Sequence, residues 1–301
     1  MTLQNKRKSK PSVSIIGSGR LGTALALALA GTGYSIEVMV ARHLTHARKA
    51  ARLLGSRTSA FGVDELRLLP PSKVIFIATP DDEIANVCEK LAGLSAGRIT
   101  GRFVLHTSGA LSAEVLDPLA AAGFRIGSLH PLVSVSQPRT GVESLRGAFY
   151  CIEGDPPAIR MAKAIVRDLK GQSFTIPPES KPLYHAAAVM TSGHVVALFD
   201  LAVGMLMECG LTRSKARRVL LPLLESTARN LATTDPARAM TGTFARGDLA
   251  TVLRHLQSLS KRGSTQALEA YRTLGVHALD LMQRNGADTR VASEIRKVLG
   301  A

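Results

Sequence analysis

The run Ser12–Val13–Ser14–Ile15–Ile16 leads directly into Gly17–Ser18–Gly19–Arg20–Leu21–Gly22, and then into the alanine- and leucine-rich segment Thr23–Ala30. Strand, tight turn and helix in that order leave few folds open. In this context G-x-G-x-x-G reads as a dinucleotide site rather than an ordinary glycine-rich turn. Gly17 serves the turn, Gly19 lets backbone approach a pyrophosphate, and Gly22 lets the helix pack close to the strand. The free N–H groups at the helix start, with the helix dipole behind them, attract phosphate. Gly17, Ser18, Gly19, Arg20, Leu21 and Gly22 are therefore candidate cofactor contacts. Thr79 and Pro80, at the end of a later apolar strand, join them.

The second half of the fingerprint selects the dinucleotide. Tyr34–Val40 reads as the second strand. An NAD site carries an acid near its end, about 20 residues past the glycines, to bond the ribose 2′-hydroxyl. Here that place holds Ala41–Arg42–His43, followed by Arg48 and Lys49. A guanidinium binds phosphate through two parallel bonds. Arg42 thus points to the 2′-phosphate of NADP(H).

A chain of 301 residues with 46% hydrophobic content can bury a large core and suggests two domains. Its formal charge of +15 suits an anionic ligand. No helix-turn-helix, zinc-finger or aromatic RNA-binding signature accompanies it, so nucleic acid is not the expected partner. Cys88, Cys151 and Cys209 form no C-x-x-C pair, which suggests inert buried thiols in a reducing cytoplasm. No metal site is expected. Residues 1–10 read as a basic, disordered tail and not a secretory signal. Val189–Cys209 is strongly apolar, but His194 and Asp200 interrupt it. That pattern fits a helix buried in protein better than a membrane span.

Strands are expected at Lys73–Ala78, Arg102–His106, Phe124–Leu129, Ala148–Glu153 and Ser173–Ile176, with helices between them. Such alternation means a mostly parallel, doubly wound α/β Rossmann sheet covered on both faces. Ligands sit beyond the carboxyl ends of its strands. Thr79, His106, Ser108 and His130 fall at such ends. After Pro177–Pro178 only helix-length segments remain, including Lys181–Cys209 and Thr212–Leu231. The plan is a Rossmann domain over 11–177, then an all-α domain over 178–301, with a cleft between them.

Lys181 and His185 are four apart at the start of the first long helix, so they share a face. A lysine in a first turn opposes the helix dipole, which lowers its pKa and makes it a better proton donor for carbonyl reduction. His185 is placed to orient substrate or to share the proton. Arg246 could hold a substrate carboxylate, and Asp248 reads as a helix N-cap.

Gly17–Gly22, Thr79–Pro80–Asp81, His106–Thr107–Ser108–Gly109–Ala110, His130–Pro131, Lys181 with Tyr184–His185–Ala186–Ala187, and Arg246–Gly247–Asp248 occur in this order. In this the chain resembles the Rossmann-like oxidoreductases that carry the domain of unknown function 2520. That group is similar to the wider 6-phosphogluconate-dehydrogenase-like set, which includes ketopantoate reductase, pyrroline-carboxylate reductase and the β-hydroxyacid dehydrogenases. The resemblance implies an NADP-linked reductase with a helical C-terminal domain that often dimerises. Lys181 matches the catalytic lysine of the β-hydroxyacid dehydrogenases, whereas His185 stands where they have asparagine. Gly193 and Thr243 depart from the group's usual asparagine and proline.

The resulting expectation is a cytoplasmic, homodimeric NADP(H)-dependent oxidoreductase. It would pass hydride to a small carbonyl substrate, a ketopantoate-like 2-oxo acid in the first instance. Lys181 and His185 would be catalytic, with Ser108, His130 and Arg246 at the substrate. The alternative is a non-catalytic NADP-binding sensor or scaffold.

Overall fold

A computed structural model describes residues 10–94, 101–262, 264–286 and 288–300. The expected tail lies outside the described residues except for Lys10, whose ammonium pairs with Asp168 at 3.0 Å.

The chain divides into two compact units, one ending at Val189 and one beginning at Met190. In the first, strands and helices alternate: β1 (Ser12–Ile16), α1 (Arg20–Gly31), β2 (Ser35–Ala41), α2 (Leu44–Leu54), β3 (Ser59–Gly62), β4 (Val74–Ile77) and α3 (Asp81–Leu94). Then come β5 (Phe103–His106), α4 (Asp117–Ala121), β6 (Arg125–Pro131), α5 (Pro138–Leu145), β7 (Phe149–Gly154), α6 (Pro156–Asp168) and β8 (Gln172–Phe174). They build one eight-stranded sheet in the order β3-β2-β1-β4-β5-β6-β7-β8. Every neighbouring pair is parallel except β6 and β7.

The apolar runs explain the double cover. In β4, Val74 and Phe76 enter one core with Leu25 and Leu29 of α1 and Ile165 of α6. Ile75 and Ile77 enter the other with Ile84, Val87 and Leu91 of α3. A strand buried on both faces needs such an unbroken apolar run. β3 and α5 were not anticipated. β3 is a short edge strand, exposed or half-buried along its length, so it carries little of the alternation that marks a strand.

α7 (Lys181–Thr191) follows, and its residues through Val189 belong to the first unit. Hydrogen bonds from Lys181 to Ser128 and between Tyr184 and His130 tie it to the sheet. The units consequently divide at Val189 and Met190 rather than at the expected 177/178. The single helix expected over Lys181–Cys209 is broken at Ser192, and α8 (Gly193–Glu208) follows. A serine–glycine pair is a usual place for such a break.

The second unit continues with α9 (Arg213–Thr233), α10 (Pro236–Ala239), α11 (Leu249–Arg262), α12 (Thr265–Arg284) and α13 (Thr289–Leu299). Thr212, Ser264 and Asp288 cap α9, α12 and α13 through their side-chain oxygens. Val252 and Leu256, Leu279 and Met282, and Ala292, Ile295 and Leu299 join α11, α12 and α13 in one core. α8 and α9 differ. α8 buries only Val203, and α9 only Ala216. The segment Pro178–Glu208 contains an 18-residue stretch apolar enough to cross a membrane, with a mean hydropathy of 1.6, yet only 6% of that stretch is buried. The helix expected to be buried in protein is thus mostly uncovered within the single chain. Cys209, at the end of α8, is exposed, unlike the buried Cys88 and Cys151.

Candidate functional site

The β1–α1 turn shows why each of its glycines is needed. Gly17 has φ +113°, and a Cβ there would lie 2.3 Å from the Ala78 carbonyl oxygen. A Cβ on Gly22 would fall 1.9 Å from the Gly17 carbonyl oxygen. A Cβ on Gly19 would meet nothing within 4 Å, so the gap it leaves faces open space and not packed protein. Gly19 is also the N-cap of α1, no side chain caps this end, and the first turn has no acid. The helix start therefore presents unspent N–H groups.

That turn forms part of a cavity of about 640 Å³. Gly17, Ser18 and Gly19 meet Arg42 and His43 from the end of β2, Thr79 and Pro80 from the end of β4, and Glu83 and Lys90 from α3. The Thr79 hydroxyl is buried there without a hydrogen-bond partner among the described residues. A buried polar atom left unpaired is costly and calls for a ligand partner. An open glycine cradle, an uncapped helix start and an orphaned hydroxyl all fit a dinucleotide. Arg20 and Leu21 do not line this cavity. Arg20 is exposed, and Leu21 packs against the core. Arg42 is largely exposed, and its guanidinium is ion-paired with Glu83.

A second cluster lies along the same rim, around strand ends further across the sheet. Register aligns His106 with Ser128 across β5 and β6, and Ser128 with Glu153 across β6 and β7. Three polar residues thus stand in one row over three strands. Lys181 from α7 reaches down onto that row and has no side-chain exposure. Its ammonium donates to Ser128 Oγ at 2.5 Å and to the Ser108 carbonyl at 3.2 Å, and lies 3.8 Å from Glu153 Oε1. The expected first-turn donor is therefore a buried ammonium held by two hydrogen-bond acceptors and a nearby carboxylate. Burial lowers its pKa, and Glu153 works against that shift. Burial likewise raises the pKa of Glu153, which Lys181 and the Ala113 N–H oppose.

His106 is neutral. The Ser108 N–H donates to its Nδ1 at 3.2 Å, which places the proton on Nε2, facing the Ser112 carbonyl at 3.1 Å. Burial, reinforced by Lys181, pushes its pKa down to about 3. His130 is pushed down to about 4 by burial, then by His185 and Lys181. Its Nδ1 shares a 2.7 Å hydrogen bond with the Tyr184 hydroxyl. The His130 and His185 rings meet edge to face at 5.6 Å. Gly109 makes room for both: a Cβ there would sit 2.3 Å from His185 Nδ1 and 2.8 Å from His130 Nε2.

The structure thus brings Lys181, His185, His130 and Ser108 together within the first unit. Ser108 serves the loop rather than a ligand. Its hydroxyl donates to Asp81 at 2.8 Å and accepts the N–H groups of Ala110 and Leu111, which exhausts its bonding capacity. Arg246 lies in the second unit, exposed on the turn before α11, where Asp248 caps the helix through the Thr251 N–H. The sequence assigned no role to Ser128, Glu153 or Glu83, and Tyr184 entered only as part of the Tyr184–His185–Ala186–Ala187 motif. An acid inside the apolar run Tyr150–Glu153 was the available sign of a buried charge.

A Rossmann-like domain model matches residues 2–131, and a model described as Domain of unknown function (DUF2520) matches residues 148–278. No curated protein matches the chain by sequence. Among solved structures, protein TM1727 from Thermotoga maritima is 23% identical, with 91% of this chain and 100% of that one covered at a TM-score of 0.69. The proposed NADP oxidoreductase BF3122 from Bacteroides fragilis is 23% identical, with 92% and 99% covered at a TM-score of 0.73. A pyrroline-5-carboxylate reductase from Coxiella burnetii is 16% identical, with 95% and 98% covered at a TM-score of 0.58. At these identities the likeness is one of fold.

Proposed function

We propose, from the premise that this chain belongs to the proteins joining a Rossmann-like domain to a DUF2520 domain, that it is an NADP(H)-dependent oxidoreductase acting on a small carbonyl or imine substrate. The observation that carries this reading is the cleft, whose lining includes both the open Gly19 cradle and Thr79 with its unpartnered hydroxyl. The solved reductases of the same fold support it. A bound NADPH would supply a hydride to the substrate carbon. This chain's part is to bind and orient that cofactor and to provide a proton at the substrate heteroatom. The half-buried His130–Tyr184 pair, with His185 beside it, is better placed for the proton than Lys181, which is fully buried and donates to Ser128 and the Ser108 carbonyl. Lys181 then acts as a positioning residue that joins the Ser108 loop to β6 and β7. The leading substrate class is a small 2-oxo acid, with cyclic imines second.

The test is NADPH consumption against a panel of 2-oxo acids, cyclic imines and aldehydes. Turnover of a panel member is the expected result. One observation favours a second reading: the lysine that matches a catalytic lysine in relatives is sequestered. Tight NADPH binding with no turnover of any panel member would make the protein an NADP-binding sensor.

A homodimer belongs to the same proposal. Met190, Val196, Leu198 and Met207 are exposed on or beside α8, and Val219, Leu221 and Leu223 on α9. An apolar surface of this extent marks an interface. Asp200, paired with Arg213, and His194 lie on the same stretch. A charged side chain in a bilayer costs about 2.5–3.5 kcal/mol, so a second copy suits the surface better than lipid.

A further inference from the structure

The cleft contains an anion of its own. Glu83 in the first turn of α3 is ion-paired with the guanidinium of Arg42, at the end of β2. Both side chains line the cavity that opens beside the glycine turn. His43, His46 and Lys90 line it too, so among the described residues Glu83 is the one carboxylate on a wall otherwise furnished with basic and neutral groups. α2 begins at this wall with no side-chain cap and no acid in its first turn. Its free N–H groups and dipole add to the attraction for an anion at Arg42.

We infer that Glu83 is a specificity-determining residue: it occupies Arg42 in the free protein and is displaced by the 2′-phosphate of NADP(H). This rests on the NADP reading above. The chemistry is an exchange of anions on one guanidinium. A carboxylate leaves and a phosphate monoester takes its place through the same forked donors. No covalent bond changes. Glu83 lowers NADPH affinity in two ways. Its pair with Arg42 must break, and its charge stays near the incoming phosphate. NADH has no 2′-phosphate and gains nothing from that exchange, so Glu83 narrows the gap between the two cofactors. Its position in the first turn of α3 gives it a secure anchor, since acids are stabilised at a helix start.

Calorimetric titration of NADPH and NADH into the parent, Glu83→Gln, Arg42→Ala and the double variant tests this without any turnover assay. An exposed ion pair is weak and the like charge adds to its cost, so Glu83→Gln should bind NADPH about threefold to tenfold more tightly. NADH affinity should stay within about twofold. In the Arg42→Ala background, Glu83→Gln should have no comparable effect on NADPH. Unchanged or weaker NADPH binding by Glu83→Gln overturns the inference. So does an equal gain for both cofactors, which would make Glu83 a general repulsive charge. Weaker NADH binding also overturns it, because Glu83 would then be the ribose acid absent from the end of β2. A parent that binds neither cofactor, or prefers NADH, fails the NADP reading itself and this inference with it.

Discussion

Lys181 is the residue whose surroundings matter most for how the rim is read. A buried ammonium is tolerable only when its hydrogens find acceptors and its charge a partner. Ser128, the Ser108 carbonyl and Glu153 meet both needs, and they come from β6, the loop after β5, and β7. Replacing Lys181 with Met leaves Glu153 buried without its counter-charge. That should cost about 3–5 kcal/mol of unfolding free energy. Adding Glu153→Gln should recover most of the loss, because a neutral amide no longer needs an ammonium. Urea denaturation of the two single variants and the double variant reads this directly. A Lys181→Met protein as stable as the parent would show that the ammonium does not hold these strands. NADPH affinity should change little in the double variant, since neither residue lines the dinucleotide cleft.

At the scale of an element, the β1–α1 turn separates what glycine does for folding from what it does for binding. Gly22 has no room for a methyl group, and Gly19 has space only where a ligand would lie. Gly19→Ala should therefore lose about 1 kcal/mol or less of stability, the usual weight of an N-cap change. Its NADPH affinity should nonetheless fall by at least about tenfold, which corresponds to 1.4 kcal/mol of lost contact at the pyrophosphate. Gly22→Ala should lower both stability and affinity. Thermal melts beside cofactor titrations distinguish the two. Equal losses of stability in both variants would mean that the Gly19 space is needed for folding and not for a ligand.

For the whole molecule, the exposed apolar surface on α8 and α9 decides the expected state of assembly. Light scattering at micromolar concentration should give twice the chain mass. Val196→Glu combined with Leu223→Glu places two charges on that surface and should shift the protein toward monomer with its thermal melt retained. A monomeric parent would remove the homodimer from the proposal. Association of the parent with lipid vesicles would assign the surface to a membrane instead.

Local signals in the chain were enough to determine the Rossmann sheet, the glycine turn and the helical second half. A short apolar run such as Val74–Ile77 between turn signals suits a strand buried on both faces, and a glycine series between strand and helix suits a tight turn with close helix packing. Thr212, Ser264, Asp248 and Asp288 could likewise be read as caps or helix starts, because a cap acts within one turn of its own residue. Tertiary structure alone decided the rest. The antiparallel pairing of β7 aligned Glu153 with Ser128 and made a buried partner for Lys181, 28 residues beyond Glu153 in the chain. Ser108, which looks like a substrate group in sequence, has its hydroxyl taken by Asp81 from a neighbouring strand end. Arg42 has no acid beside it at the end of β2, since Glu37 lies near the strand's start, and it meets one because α3 brings Glu83 to it. Charge partners that are distant in sequence leave no periodic trace, so only the fold could reveal which ammonium is buried and which guanidinium is already engaged.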